Sequence, residues 1–362
     1  MITVAVPRQS TAYPIIAVTG LFAQLDTFLD IKPYSSIFII TDSNVAPLYA
    51  QQLQDRLASM DGTKKVTCFV FPAGEQHKTL ATCMDAYRAM VVAGIDRKAL
   101  VITLGGGVTT DMGGFIASTF KRGLRFVNIS TSVLGMVDAS VGGKLGVDFE
   151  GYKNYVGVFN NPQMVLMDID HLSTLPTREF TSGFGEIIKH GVIADRAYFS
   201  LVTSKIPSAF TREELTQCIV TSNVIKANVV EQDEREGGIR KILNFGHTIG
   251  HALETWSFST DIPLAHGEAV ALGMVAEARI SEALGMIDAS EVALLVNGIS
   301  QTGLPVSLPS FPSEIILKLM LGDKKSEEGT IQWTLLEAIG KAVWDINVPD
   351  NIVEQSLLSL LN

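Results

Sequence analysis

The residues best suited to chemistry fall between Asn244 and Glu268, in N-F-G-H-T-I-G-H-A-L-E, a short loop and L-A-H-G-E-A-V-A-L-G-M. Three of the chain's six histidines are here: His247, His251 and His266. His247 and His251 have helical spacing, which turns both imidazoles to one face, about 6 Å apart. His266 opens a run rich in Ala and Gly that suits a helix packed closely against its neighbours. Histidines gathered this way could bind a transition metal, with a carboxylate completing the set. Buried, hydrogen-bonded core histidines are the competing reading of an H-x-x-x-H pair. The third histidine, and a glutamate on a similar helix, favour the metal.

That glutamate is Glu186, in G-F-G-E-I-I-K-H-G, with Lys189 on the same helical face. Such pairs are usually solvated, but the small and apolar flanks imply burial, and a buried carboxylate needs a partner. Further cations stand at Lys226, in an apolar helical neighbourhood, and at Arg240, which leads into the histidine segment. Asp323-Lys324-Lys325 reads as a polar turn. V-D-A-S-V-G-G-K-L-G-V-D (137–148) surrounds Asp138 and Lys144 with small residues, and Lys153 and Asn154 follow. It reads either as a glycine-rich segment offering a lysine to a polar ligand or as a plain surface loop.

In the first half, G-G-G-V-T-T-D (105–111) closes a strand and opens a helix, an arrangement that lets backbone approach a phosphate at a helix N-terminus. It is not the G-x-G-x-x-G fingerprint, because Thr110 stands where the last glycine would be. A tight structural turn is the alternative. Asp42 and Asn44, at the end of an earlier strand, stand where a ribose or adenine would be held. Glu75 and Lys78, in P-A-G-E-Q-H-K, read as an exposed ion pair unless a ligand claims them.

Positioning these groups requires two kinds of scaffold. The first half alternates strand and helix: strands at V-A-V, I-I-A-V, 36–42, 66–71, 99–104, 125–130 and 164–168, with helices at 45–60 and 80–93. Apolar strands separated by helices imply a parallel sheet covered on both faces, a Rossmann-like α/β domain over 1–172. From about Ser173 helical periodicity dominates, at 179–194, 212–232, 246–257, 267–285 and 313–321, with late strands at 331–337 and 342–346. Residues 173–362 therefore read as a mainly α-helical domain carrying the metal. No low-complexity linker separates the two, which points to a rigid boundary and a site in the cleft between them.

At 362 residues the chain can fill two cores. Its formal net charge of −10 argues against nucleic acid or an anionic membrane as partner. No apolar run approaches the roughly 18 residues of a membrane span, and the N-terminus lacks a signal peptide's basic patch and apolar core. Cys68, Cys83 and Cys218 are too few and too scattered for a disulfide framework, so a cytoplasmic protein is expected.

Together these motifs resemble the 3-dehydroquinate synthases, the second enzyme of the shikimate pathway. The resemblance runs from Asp42 to about Gly340 and rests on G-G-G-V-x-x-D, V-D-A-S-V-G-G-K, L-P-x-R-E, G-x-G-E-x-I-K-x-G and D-E-R-E-x-G-x-R-x-x-L-N-F-G-H-T-x-G-H-A-L-E. It implies a divalent metal, zinc or cobalt, on Glu186, His247 and His266, and it assigns His251 to the substrate where spacing alone would have made it a ligand. It implies NAD contacts at Asp42, Asn44, Glu75, Lys78, Gly106, Gly107, Val108, Asp111, Thr131, Ser132 and Thr174. Substrate and catalytic roles fall on Arg122, Asp138, Lys144, Lys153, Asn154, Lys189, Lys226, Arg240, Asn244, His251 and one of Lys324 or Lys325. The chain departs from the family pattern at Thr110, Ser132, Leu145, Asp148 and Tyr152.

The implied substrate, 3-deoxy-D-arabino-heptulosonate 7-phosphate, carries a phosphate and a carboxylate, which suits a cationic basin in an acidic chain. The implied reaction is a phosphate-eliminating lyase sequence with NAD regenerated at each turnover, in a protein expected to be a homodimer. Two other activities compete. A sister sugar-phosphate cyclase shares the fold, but Lys226, Arg240, Asn244 and His251 match the dehydroquinate pattern. A metal-dependent polyol dehydrogenase does not need this density of cations.

Overall fold

The computed structural model describes residues 2–6, 13–323 and 331–361. They form two compact units, Met1–Leu175 and Pro176–Asn362.

Unit 1 contains β1 (Ile2–Val6), β2 (Tyr13–Val18), α1 (Leu25–Phe28), β3 (Ser36–Asp42), α2 (Gln51–Met60), β4 (Lys65–Phe71), α3 (Leu80–Ala93), β5 (Leu100–Gly105), α4 (Gly107–Thr119), β6 (Arg125–Ser130), β7 (Lys144–Phe149), β8 (Tyr152–Phe159) and β9 (Met164–Asp168). Seven strands make one sheet in the order β1-β2-β9-β6-β5-β3-β4. Six are parallel as expected, and β1 adds to β2 as an antiparallel edge. β5 is buried at every residue, which is why it reads as an unbroken apolar run. One sheet face packs Leu21, Leu25, Leu53 and Leu57, and the other packs Cys83, Met90, Met112 and Phe115.

From β3 the chain goes outward to β4 and returns to β5 on the other side of β3. Strand order therefore reverses between β3 and β5, and the crevice at their carboxyl ends is where open α/β sheets bind ligands. Asp42 ends β3, and Gly105 ends β5 there.

One expectation changes. The glycine-rich segment is a loop only as far as Gly143: from Lys144 on, β7 pairs with β8 as an antiparallel hairpin that turns at Glu150 and Gly151, both at positive φ. It packs on α4 because Leu145 fills the space left by Gly114, where a Cβ would meet Leu145 at 2.5 Å.

Unit 2 contains α5 (Thr177–Ala194), α6 (Arg196–Val202), α7 (Arg212–Gln232), α8 (His247–Ser257), α9 (His266–Ala283), α10 (Ala289–Gln301), α11 (Ser313–Asp323), β10 (Trp333–Ala338), β11 (Lys341–Ile346) and α12 (Asp350–Leu358). Three of these helices, α6, α10 and α12, go unread in the sequence. The cap of α7 is legible there: Thr211 and Glu214 form a reciprocal capping box. Helices α5, α8 and α9 approach backbone to backbone. A Cβ on Gly185 would lie 2.6 Å from Gly267 O, one on Gly267 1.7 Å from Ser182 O, and one on Gly273 1.9 Å from Gly246 O. Among the described residues no helix is long and apolar enough to cross a membrane.

Candidate metal centre and nucleotide-facing residues

In unit 2 each expected metal donor adjoins a glycine of those close contacts: Glu186 follows Gly185, His247 follows Gly246 and His266 precedes Gly267. The contacts gather the three side chains. Glu186 Oε1 lies 3.4 Å from His247 Nε2 and 3.4 Å from His266 Nε2. Donors bound tetrahedrally at zinc–nitrogen distances near 2.1 Å stand about 3.4 Å from one another, so the set fits such an ion. Glu186 is fully buried and neither of its oxygens has a well-formed hydrogen bond, although Lys189 Nζ pairs with Oε2.

The rings are oriented from behind. His247 Nδ1 lies 3.2 Å from Phe245 O, and His266 Nδ1 lies 3.2 Å from Glu254 Oε2, so each Nε2 points inward. Burial opposes ionisation of Glu186, but Lys189 and His247 outweigh it and hold the carboxyl well below its ordinary value. Burial and the Lys189 charge push His247 down to about 4, leaving a neutral ring with a lone pair. For His266 burial is outweighed by Glu254 and Glu186, which raise it to about 10.

His251 shares the face of His247, with ring centroids 5.0 Å apart, but it is not in the Glu186 set; it groups with Glu254 and His266. Nearby in the chain, Asn244 Nδ2 donates to Glu236 Oε1 at 2.7 Å, and Arg240 Nη1 donates to Glu234 O at 2.5 Å. Lys226 and Arg240 are both buried. Arg240 is therefore part of the core as well as a candidate anion contact. Lys324 and Lys325 lie outside the described residues.

Sequence reasoning missed the clamp on α9. Glu268 accepts the Ala265 N–H at 2.8 Å, and Arg178 grips the same carboxylate through Nε at 2.8 Å and Nη2 at 2.6 Å, with Nη2 also reaching Pro263 O. The arginine is that of the L-P-x-R-E motif, so the signal was present without a role. Its side chain is half exposed, so we expect Arg178→Ala to cost about 1 kcal/mol. Arg178→Lys should not recover the loss, because a lysine cannot make the two-pronged contact. Denaturant unfolding reads both, and an unchanged midpoint would count against the clamp.

In unit 1 most expected nucleotide contacts stand at the carboxyl edge of the sheet: Asp42 at the end of β3, Gly106, Gly107 and Val108 after β5, Thr131 and Ser132 after β6, and Thr174 beyond β9. α4 starts at the glycines with no side-chain cap, leaving its first N–H groups for an anion. Asp42 is partly committed: it accepts from Asn44 N–H at 2.9 Å, Val45 N–H at 3.1 Å and the Thr109 hydroxyl at 3.1 Å. Asn44 is exposed. The Thr174 hydroxyl lies 2.6 Å from that of Tyr49.

Glu75 and Lys78 do not form the exposed pair expected of them. Lys78 is buried and donates to Asp111 Oδ2 at 2.7 Å and Asn154 Oδ1 at 2.6 Å, while Glu75 faces Lys153 at 3.4 Å. Burial pushes the Asp111 carboxyl up to about 6 against the pull of Lys78. Lys78 thus joins a residue expected at the nucleotide to one expected at the substrate. The family departures serve local structure: Thr110 bonds Gly107 O, Ser132 accepts from Gly135 N–H, Asp148 accepts from Asn154 N–H, and Tyr152 packs on Tyr155. Asp138 sits in the single turn Gly135–Ala139, and Lys144 is exposed at the start of β7.

Arg122 stands apart from these residues. It follows α4 at the amino edge of β5 and β6, across the length of a strand, about 20 Å, from Gly106 and Ser132. There it lines an open surface pocket with Asp96, Arg97, Lys98 and Lys121.

A doubly wound α/β unit followed by a helical unit with a Glu/His/His donor set has the fold of the sugar-phosphate cyclases. 2-Deoxy-scyllo-inosose synthase, solved with carbaglucose-6-phosphate, NAD+ and Co2+, matches with a TM-score of 0.91 at 22% identity, covering 99% of this chain and 100% of that one. 2-Epi-5-epi-valiolone synthase from Streptomyces hygroscopicus subsp. jinggangensis, solved with NAD+ and Zn2+, gives 0.87 at 26% identity, covering 98% of each. Sequence narrows the class. The family model for the 3-dehydroquinate synthase N-terminal domain matches residues 68–182, and that for the C-terminal domain matches 183–326. The 3-dehydroquinate synthase of Acidithiobacillus ferrooxidans is 40% identical over 352 residues, 97% of this chain and 96% of that protein. The chain belongs to the 3-dehydroquinate synthase family.

Proposed function

We propose that the chain converts 3-deoxy-D-arabino-heptulosonate 7-phosphate to 3-dehydroquinate and phosphate, by transient oxidation, phosphate elimination, re-reduction and intramolecular aldol closure. By net reaction it is a lyase. The observation that carries this reading is the Glu186/His247/His266 donor set, spaced at 3.4 Å, in a chain of this family. When bound, a divalent metal polarises substrate oxygens and NAD accepts and returns a hydride.

The chain's own residues do the rest. The N–H groups that open α4 receive the dinucleotide phosphates, and Lys78 keeps Asp111 and Asn154 in register beside it. Lys144, Lys226 and Arg240 hold the substrate's phosphate and carboxylate. His251, outside the Glu186 set, holds or passes a proton at the substrate. Lys189 keeps Glu186 ionised as a donor. Arg122, at the amino edge of its own sheet, would meet a substrate beside Gly106 only from a second copy, in keeping with a homodimer. The acidic charge and the scarcity of cysteines suit a cytoplasmic enzyme.

Phosphate release from the heptulosonate phosphate tests the proposal directly, and its absence with metal and NAD supplied would overturn it. The anion contacts have their own test. Lys144 is exposed, so Lys144→Ala should leave the fold intact while losing roughly 1.5–3 kcal/mol of substrate interaction, read as a rise in KM or a fall in kcat/KM. Unchanged kinetics would remove Lys144 from the site. Arg240→Ala is less clean, because the buried guanidinium also bonds Glu234 O.

A further inference from the structure

α8 begins at His247 without a cap of its own. The preceding residue, Gly246, has no side chain and turns through φ 81°, so it offers the first N–H groups of the helix no side-chain acceptor. They find one on α9. The carboxylate of Glu277, fully buried, accepts from Gly246 N–H at 2.6 Å through Oε2 and from Ile249 N–H at 3.3 Å through Oε1. The approach is possible because Gly273, one turn before Glu277, faces Gly246 without a side chain. Burying a carboxylate is costly, and this one lies against the positive end of the helix whose first residue is His247.

We propose that Glu277 is a positioning residue for the metal site: by fixing the first turn of α8 from below, it sets where His247 Nε2 meets Glu186 and His266. The proposal rests on the reading of those three residues as metal donors. Its two hydrogen bonds land on Gly246 and Ile249, which bracket His247, so losing either frees the backbone that carries the ring. The exchange between the helices is mutual. α9 gives Glu277 to the start of α8, and α8 gives Glu254 to His266 at the start of α9. Both of these hydrogen bonds come from backbone N–H groups, so they act on His247 through the chain that carries it.

The test begins with the purified wild type, titrated with Zn2+ against a chromophoric chelator and with Co2+ by visible absorption. Glu277→Gln keeps the volume but offers one oxygen where two N–H groups are received. We expect it to fold, to bind Zn2+ about 10- to 100-fold more weakly, as loss of an outer partner typically does, and to show an altered Co2+ spectrum. Turnover should return toward wild type as Zn2+ is raised to saturation. Glu277→Asp keeps the charge but is one methylene shorter; it should fall between the two, and it carries the test if the glutamine variant does not fold. Asp288→Ala, which removes the cap of α10, supplies the control: it lowers the thermal midpoint and leaves Zn2+ affinity and the Co2+ spectrum unchanged. A wild type that binds neither ion would overturn the metal reading and this proposal with it. Wild-type affinity and an unshifted Co2+ spectrum in the Glu277 variants would overturn this proposal alone.

Discussion

A chelator should abolish turnover, Zn2+ or Co2+ should restore it, and His247→Ala should be beyond restoration. The expected loss is large because a Lewis-acidic metal contributes several kcal/mol at the reacting oxygens, and about 4 kcal/mol corresponds to roughly a thousandfold in rate. His247 is the best of the three donors to remove. Glu186 is fully buried against Lys189, so deleting its charge would leave the lysine unpaired in the interior, at about 3–5 kcal/mol, and loss of fold would be confused with loss of metal. The His247 side chain is 13% exposed and touches Glu186 at its edge, so alanine there removes a donor with less damage to the core. Bound metal, measured on the purified variant, should fall together with turnover, while far-ultraviolet circular dichroism stays as in the wild type. Full activity in metal-free protein would end the metal reading.

Much of this site can be read in the sequence, and where reading stops the reason is physical. Spacing puts His247 and His251 on one helical face, and the structure has their rings 5.0 Å apart. Spacing within one helix cannot say which of the two is a donor. What favours His247 is Glu186, on another helix, whose carboxylate lies 3.4 Å from Nε2 of His247 and of His266. The glycines beside the donors are plain in the sequence, but their pairing, Gly185 with Gly267 and Gly246 with Gly273, exists only once the helices pack. Glu277 did leave a signal. An acidic residue inside the apolar run M-V-A-E-A-R-I must be satisfied if that helix is buried, and its partners are backbone N–H groups no side-chain pattern reveals. Likewise Lys78 looked like half of a surface pair, because its partners Asp111 and Asn154 are distant in sequence. The β7–β8 hairpin was hidden by its glycines. Gly146 and Gly157 face each other across it, where a Cβ on Gly157 would meet Leu145 O at 2.4 Å, so close strand packing resembled loop composition.

The second large effect concerns NAD, which is expected to act as a catalyst and not as a consumed substrate. The cations proposed for the substrate, Lys144, Lys226 and Arg240, suit a molecule that keeps its carboxylate and gives up its phosphate. A simple dehydrogenase has no use for a leaving phosphate. Oxidation at C5 acidifies the neighbouring C–H, so phosphate can depart, and the later steps need the hydride back on the same carbon before the ring can open and close again. Phosphate should therefore appear in large molar excess over added NAD, with no matching rise in NADH absorbance. A substrate analogue whose phosphate is replaced by a non-departing phosphonate should stop the sequence after oxidation, leaving NADH on the protein in an amount bounded by the enzyme. The contrast is qualitative: many turnovers per NAD on one reading, one NADH per product on the other. Free NADH formed one-for-one with the natural substrate would contradict the cyclase assignment and favour a polyol dehydrogenase. An analogue that binds without forming any NADH would contradict oxidation as the first step.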